Sequence, residues 1–190
     1  MIKQLFIDIE TSGLDPDRNA IIEIGGIIRV EDEPSHQFTF YAQPFPDDTV
    51  EEAALKVNGY TYNDIAEFPL PKETHAEFTQ LLSKYVDKRN KRDKFFMYGW
   101  NVDFDDRFMR AFFQKCGDKY YSSYILWPSV NIASLVTLFL REKYFDISGF
   151  HLHTVCAYFG IEVDEVRRHT ALYDALLTME VYDRINQQGD

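Results

Sequence analysis

The chain has 190 residues, 45% of them hydrophobic and 16% aromatic, enough apolar material for one well-packed core and within the size of a single domain. A formal charge of −11 argues against a protein that grips phosphates through a broadly basic surface, and no run of about 18 apolar residues offers a membrane span. The two cysteines, Cys116 and Cys156, lie far apart with no CxxC pair, which excludes a zinc ribbon or disulfide framework and leaves two buried thiols.

The expectation is therefore one cytoplasmic domain over residues 1–190, opening directly on the strand-like Lys3-Gln4-Leu5-Phe6-Ile7 with no signal-peptide pattern. Apolar alternation and β-branched residues predict strands at about Lys3 to Ile9, Ile21 to Val30 and Gln37 to Ala42, an antiparallel meander. Thr11-Ser12-Gly13-Leu14-Asp15-Pro16-Asp17 reads as the turn joining the first two. Val50 to Asn58 reads as a short helix stopped by Gly59, and a longer helix is predicted from Thr74 to about Lys88 on the apolar face of Ala76, Phe78, Leu81, Leu82 and Tyr85. The basic stretch Lys84, Lys88, Arg89, Lys91, Arg92 and Lys94 closes that segment and reads as a solvated helix end and loop. A strand at Phe95 to Tyr98 leads to a helix from about Asp105 to Cys116, with Gly117 as its stop. Three more helices are expected, at Ile132 to Tyr144, Leu152 to Phe159 and Thr170 to about Ile185. Strands first and helices later, with interleaving, predict an α/β fold with a mixed sheet and helices packed on it.

Three acidic constellations carry the chemistry. Asp8 and Glu10 sit two apart in Phe6-Ile7-Asp8-Ile9-Glu10, so on a strand both carboxylates share a face, about 7 Å apart at the backbone. Two acids on a strand this apolar are costly unless they meet cations or protons. The second cluster is Gly99-Trp100-Asn101-Val102-Asp103-Phe104-Asp105-Asp106, at the turn between a strand and the helix it feeds. The helix dipole accounts for some of these acids, and spacing alone does not choose between Asp103 and Asp105 as a metal ligand. The third is His169-Thr170-Ala171-Leu172-Tyr173-Asp174, with Thr170 as the expected N-cap. Five residues apart on one helix, His169 and Asp174 would diverge by about 140°, so they cooperate only if His169 lies on the preceding loop.

Asp-x-Glu on the first strand, Asn-x-x-Phe-Asp at a helix start and His-x-Ala-x-x-Asp opening the last helix, in that order, resemble the DEDDh exonucleases. This is the DnaQ-like group that includes the proofreading epsilon subunit of bacterial DNA polymerase III. The likeness runs from Phe6 to Asp174. It implies a ribonuclease H-like mixed sheet, three antiparallel strands first and parallel strands after, flanked by helices. It selects Asp105 as the aspartate of the second motif. It implies that Asp8, Glu10, Asp105 and Asp174 hold two divalent cations, Mg²⁺ or Mn²⁺, about 3.5 to 4 Å apart, with His169 activating water. It further implies that Thr11, Gly13 and Leu14 cradle the terminal nucleotide, with Leu14 as a wedge, and that Trp100 and Asn101 lie against the substrate. The implied reaction removes nucleoside 5′-monophosphates from the 3′ end of single-stranded DNA, alone or beside a DNA polymerase. RNA ends and an inactive binding subunit are the alternatives. Thr11 after the motif glutamate tilts the reading toward DNA, since oligoribonuclease-like members tend to carry Met there. Asn131 and Tyr173 depart from the family pattern, which tends to have an acid and a smaller aliphatic residue at those places.

Overall fold

The structure is a computed structural model that describes residues 2–31 and 33–188. Five strands form one sheet: β1 (Lys3–Thr11), β2 (Ile21–Val30), β3 (Glu33–Tyr41), β4 (Phe95–Gly99) and β5 (Ile125–Asn131), in the order β3-β2-β1-β4-β5. The first three pair antiparallel, as expected, and β4 and β5 continue from β1 in parallel. Strand β1 is thus central. Its alternation sorts the molecule into two layers. Leu5, Ile7 and Ile9 face one core with Phe78, Phe108 and Phe112, while Phe6 faces the other with Ile27, Tyr98, Val136 and Val155. Asp8 and Glu10 continue the Phe6 face, so the two carboxylates look toward the second helical layer.

The helices are α1 (Glu52–Asn58), α2 (Tyr62–Ala66), α3 (Pro71–Ser83), α4 (Val102–Lys115), α5 (Tyr121–Tyr124), α6 (Ile132–Phe139), α7 (Leu152–Tyr158) and α8 (Ala171–Gln188). Gly59, at φ 77°, ends α1 where a side chain would be strained. Helix α3 starts three residues before its expected Thr74. Pro71 occupies the first turn, where its missing N–H is harmless, and Glu73 Oε2 accepts from the Leu70 N–H at 3.2 Å. The expected helix from Ile132 stops at Phe139, and a 3-10 turn over Arg141–Asp146 replaces its last part. Strand β5 and the short α2 and α5 were not expected. Pro128 is tolerated in β5 because that strand lies at the sheet edge.

Helix α8 lies across β1 and β2 and is pinned to β2 along its length. Near its carboxyl end the Arg29 guanidinium donates to both carboxylate oxygens of Asp183 at 2.8 Å. At its start the backbone presses on Gly25, where a Cβ would come within 2.0 Å of the Leu172 nitrogen. Only glycine allows that approach, and Gly25 is the register partner of Asp8. Among the described residues no helix is long and apolar enough to cross a membrane.

Candidate active site

Asp8, Glu10 and Asp174 each offer a carboxylate oxygen within 4.8 Å of the others. Strand β1 supplies the first two and the first turns of α8 the third. Asp105 arrives from the first turn of α4, buried, and its carboxylate accepts the backbone N–H of Ile9, between the two acids of β1. The structure therefore separates the two candidates of the second motif. Asp105 turns inward, whereas Asp103 is exposed with Asn131 Nδ2 3.5 Å away. Asp106, the third acid of that cluster, is neutralised by Arg110 at 2.6 Å and accepts from the Tyr121 hydroxyl at 2.9 Å.

Among the described residues no lysine or arginine is ion-paired with Asp8, Glu10 or Asp105. Burial, then the facing charges of Asp105, Glu10, Asp174 and Glu23, holds the Asp8 carboxyl well above the usual carboxylate range. Burial and Glu23 push Glu10 up to about 9, and burial pushes Asp105 up to about 7. Asp174 is raised by burial too, opposed by His169 and Arg168. Four mutually repelling oxygen donors, none of them in an ion pair with a lysine or arginine among the described residues, fit hard divalent cations such as Mg²⁺ or Mn²⁺.

Sequence reasoning missed a fifth acid. Glu23, the register partner of Glu10, is 1% exposed. It accepts the Tyr60 hydroxyl at 2.6 Å and the backbone N–H groups of Ala171 and Leu172. Those are the first two amides of α8, which have no partner within the helix. Glu23 thus caps α8 from the sheet face on which the helix lies. Thr170 stands at the expected N-cap position, its carbonyl accepting the Asp174 N–H at 3.1 Å, but its hydroxyl donates to the Arg167 carbonyl at 2.8 Å and leaves the first amides to Glu23. Asn58, at the end of α1, was also missed; its side chain bonds Glu10, and its Nδ2 donates to the Thr11 carbonyl at 3.1 Å.

His169 stands outside α8, as the divergence argument requires, with a left-handed φ of 63°. Its backbone N–H donates to the Asp174 carboxylate. The loop before it is anchored by Tyr173, whose phenol oxygen accepts the Asp164 N–H at 2.7 Å and whose ring lies 4.6 Å beneath the Arg167 guanidinium. That accounts for the large residue before the motif aspartate. Asn131 caps α6 by accepting from the Ser134 N–H, which asparagine does as well as aspartate.

The remaining expected site residues divide. Thr11 is buried, its hydroxyl donating to the Gly13 carbonyl at 2.7 Å, so these two shape the loop from within. Leu14 is 78% exposed at its tip. Trp100 packs against the second core and lines a cavity of about 230 Å³ with His169 and Asp174. Asn101 is exposed at the start of α4, with φ 137°, and lines a different depression beside Asn131.

The chain matches the RNase_T family, described as exonuclease, over residues 5–182. It is 26% identical to Ribonuclease T of Hahella chejuensis over 182 residues, covering 93% of this chain and 79% of that protein. It is 26% identical to Ribonuclease T of Escherichia coli K12 over 197 residues, covering 96% of this chain and 86% of that one. Exonuclease I in its apo form superposes with a TM-score of 0.77 at 20% identity, over 98% of this chain and 42% of that chain. E. coli exonuclease I in complex with a dT13 oligonucleotide does so with a TM-score of 0.76 at 21% identity, over 97% of this chain and 41% of that chain. This chain spans about two fifths of exonuclease I, and at such identity the likeness concerns the fold. The family match takes in both cores and every acid of the cluster, so the chain belongs to the exonuclease family, in the DEDDh group of metal-dependent 3′-to-5′ exonucleases.

Proposed function

We propose that the chain removes nucleotides one at a time from the 3′ end of single-stranded DNA, releasing nucleoside 5′-monophosphates. The observation that carries this reading is the convergence of Asp8, Glu10, Asp105 and Asp174, from three separate elements, beside a histidine held off the helix. These four acids would hold two divalent cations, Mg²⁺ or Mn²⁺. When bound, the cations supply charge neutralisation, polarisation of the phosphodiester and a more acidic water.

The residues of the chain do the remaining work. His169, on its loop beside Asp174, accepts a proton from the attacking water through a ring nitrogen. The water oxygen bonds to phosphorus, the bond from phosphorus to the upstream 3′ oxygen breaks, and that oxygen leaves with a proton. Leu14 wedges beside the terminal base from the exposed tip of a loop held rigid by Thr11 and Ser12. Asp174, fixed through α8 by Glu23, keeps the geometry between the two layers. Both cores share β1, which supports taking residues 1–190 as one exonuclease domain.

RNA ends are the second reading, favoured by the names of the relatives, Ribonuclease T. A time course with Mg²⁺ or Mn²⁺ on 5′-labelled single-stranded DNA and RNA of matched sequence, with His169→Ala as control, tests both. The expected result is a metal-dependent ladder shortening from the 3′ end, faster on DNA and lost in the control. Faster shortening of RNA replaces the first reading with the second, and degradation of neither overturns both.

A further inference from the structure

The cavity of about 230 Å³ beside His169 has room for many waters, yet much of its wall gives them nothing to bond. Trp100, Leu152, Val163 and Leu177 form that wall, and all four belong to the second core or pack against it, so it is held as firmly as the core is. An ordered water needs roughly two to four polar partners, which an apolar wall does not supply, whereas an apolar body gains by leaving solvent for it. The polar groups lie elsewhere. His169 and Asp174 stand where the cavity meets the acids, and His151, His153 and Arg168 form a rim, with an Arg168 guanidinium nitrogen 3.4 Å from His153 Nδ1.

The chemistry fixes which side of the reacting phosphorus this space adjoins. In an in-line displacement the attacking oxygen and the leaving oxygen stand on opposite sides of phosphorus. His169, the base that takes the attacking group's proton, walls the cavity, so the cavity opens on the side of attack and the upstream strand departs away from it. Hydrolysis needs only a small oxygen nucleophile on that side. An apolar wall behind the nucleophile fits one that carries an apolar body, and the simplest molecule with such a body and an attacking O–H is a primary alcohol.

We propose that this cavity is an acceptor site for a small apolar primary alcohol, and that the chain carries a second activity, alcoholysis of the terminal phosphodiester. The body of the alcohol lies on Trp100, Leu152 and Leu177, with its hydroxyl at His169. His169 takes the hydroxyl proton, the alcohol oxygen bonds to phosphorus, the bond from phosphorus to the upstream 3′ oxygen breaks, and that oxygen leaves with a proton. The product is the alkyl ester of a nucleoside 5′-monophosphate in place of the free monophosphate. The proposal rests on the exonuclease reading above.

The test incubates the wild-type chain with oligothymidylate, Mg²⁺ and either benzyl alcohol or methanol at equal concentration, and separates thymidine 5′-monophosphate from its alkyl ester by mass spectrometry. Both alcohols attack through the same kind of hydroxyl, but only benzyl alcohol has a body for the apolar wall. The expected ratio of ester to monophosphate is about tenfold higher with benzyl alcohol, and it saturates as that alcohol is raised. Equal ratios for the two alcohols, or no ester from either, overturn the acceptor site, while the monophosphate released leaves the exonuclease reading intact. Neither monophosphate nor ester overturns the exonuclease reading itself, and the acceptor site with it. Val163→Phe fills the cavity and is expected to bring the benzyl ester down to the methyl level while monophosphate release continues; an undiminished benzyl preference in that variant overturns the proposal. Binding has a readout that needs neither metal nor turnover. In EDTA, saturation-transfer NMR is expected to carry magnetisation from the wild-type chain to the benzyl ring protons, and much less of it from Val163→Phe. No transfer from the wild-type chain overturns the proposal.

Discussion

At the amino end of β1, Lys3 donates to Asp93 and to the Tyr85 carbonyl, and its ammonium holds the Asp93 carboxyl below the usual range. Further along the same strand Asp8 and Glu10 face Asp105, Asp174 and Glu23, and both carboxyls are held far above it. One end of the strand meets each charge with its opposite. The other gathers like charges and leaves their neutralisation to ions from outside. Folding is therefore stabilised by the side chains at the first end and opposed by them at the second, which is how a functional site differs energetically from the scaffold that carries it. Neutralising a carboxylate should have opposite consequences at the two ends.

The largest effect is expected at the acidic end. Asp8→Asn should lower kcat/KM about a thousandfold or more, because a ligand to both the metals and the geometry is lost. The same change should raise the Tm of the metal-free protein, by about 2–4 °C for each kcal/mol of repulsion and desolvation relieved. Asp105→Asn should behave likewise, whereas the exposed Asp103→Asn keeps most activity. Calorimetry in EDTA beside a nuclease assay checks both halves, and a dead Asp103→Asn with an active Asp105→Asn would reverse the assignment of the second motif.

The pH dependence follows with a definite sign. Carboxyls with raised values keep protons in the folded chain that the unfolded chain has released. Their effect on stability is absent below the ordinary carboxylate range and grows unfavourable as pH climbs through about 7 for Asp105 and about 9 for Glu10. The metal-free protein should thus lose stability between about pH 4 and pH 9 from these groups. Cations require the deprotonated forms, so Mg²⁺ should stabilise more at pH 8 than at pH 5.5. Thermal melts at both values with and without Mg²⁺ decide it; a Mg²⁺ effect that is equal or larger at pH 5.5 would contradict the cluster as the binding site.

A smaller effect is expected at Glu23, the acid that belongs to both descriptions: it repels Glu10, yet three donors satisfy it. Glu23→Ala strands the Tyr60 hydroxyl and the Ala171 and Leu172 amides, at a cost of about 1–3 kcal/mol. Because α8 carries Asp174 and orients His169, kcat should fall about tenfold with it. Glu23→Gln retains an acceptor oxygen and should restore most of the Tm and kcat. Failure of glutamine to improve on alanine would mean that the charge, and not the cap, is what matters.

Glu23 also shows where sequence reading stops. Asp8, Glu10, Asp174 and His169 announce themselves through short spacings, each legible within a few residues of one element, whereas spacing left Asp105 level with Asp103 and only the family resemblance chose it. Alternation along β1 and β2 placed both carboxylates on one face and both strands in the sheet. The partners of Glu23 are backbone amides far along the chain, which no local pattern encodes. Its one signal is a lone acid inside Ile21-Ile22-Glu23-Ile24-Gly25-Gly26-Ile27-Ile28, where a charge must find donors. The same remoteness hides the division of labour at Thr170, which holds the expected N-cap position through its carbonyl while Glu23 takes the side-chain capping role. Strand β5 escaped because Pro128 and the exposed Trp127 suit a sheet edge and break the alternation that marks a strand.

The smallest expected effect lies at the basic end. Lys84 to Lys94 adjoins Lys3, and two of its cations serve the scaffold: Lys88 lies 4.4 Å over the Tyr124 ring and Lys94 donates to the Ser122 carbonyl at 2.6 Å. Arg89 and Lys91 are exposed, as are Lys84 and Arg92, and so are open to a phosphate. Lys3 and Asp8 are separated along an extended strand by about 17 Å, twice the about 8 Å over which charge is felt at 0.15 M salt. Arg89→Gln with Lys91→Gln should therefore leave kcat/KM for a short oligonucleotide within about a factor of two at that ionic strength. At about 0.01 M salt the screening length rises to about 30 Å, and the double variant should then bind its anionic substrate more slowly, by a few-fold. A loss of activity that persists at 0.15 M salt would mean that the strand itself reaches the basic end.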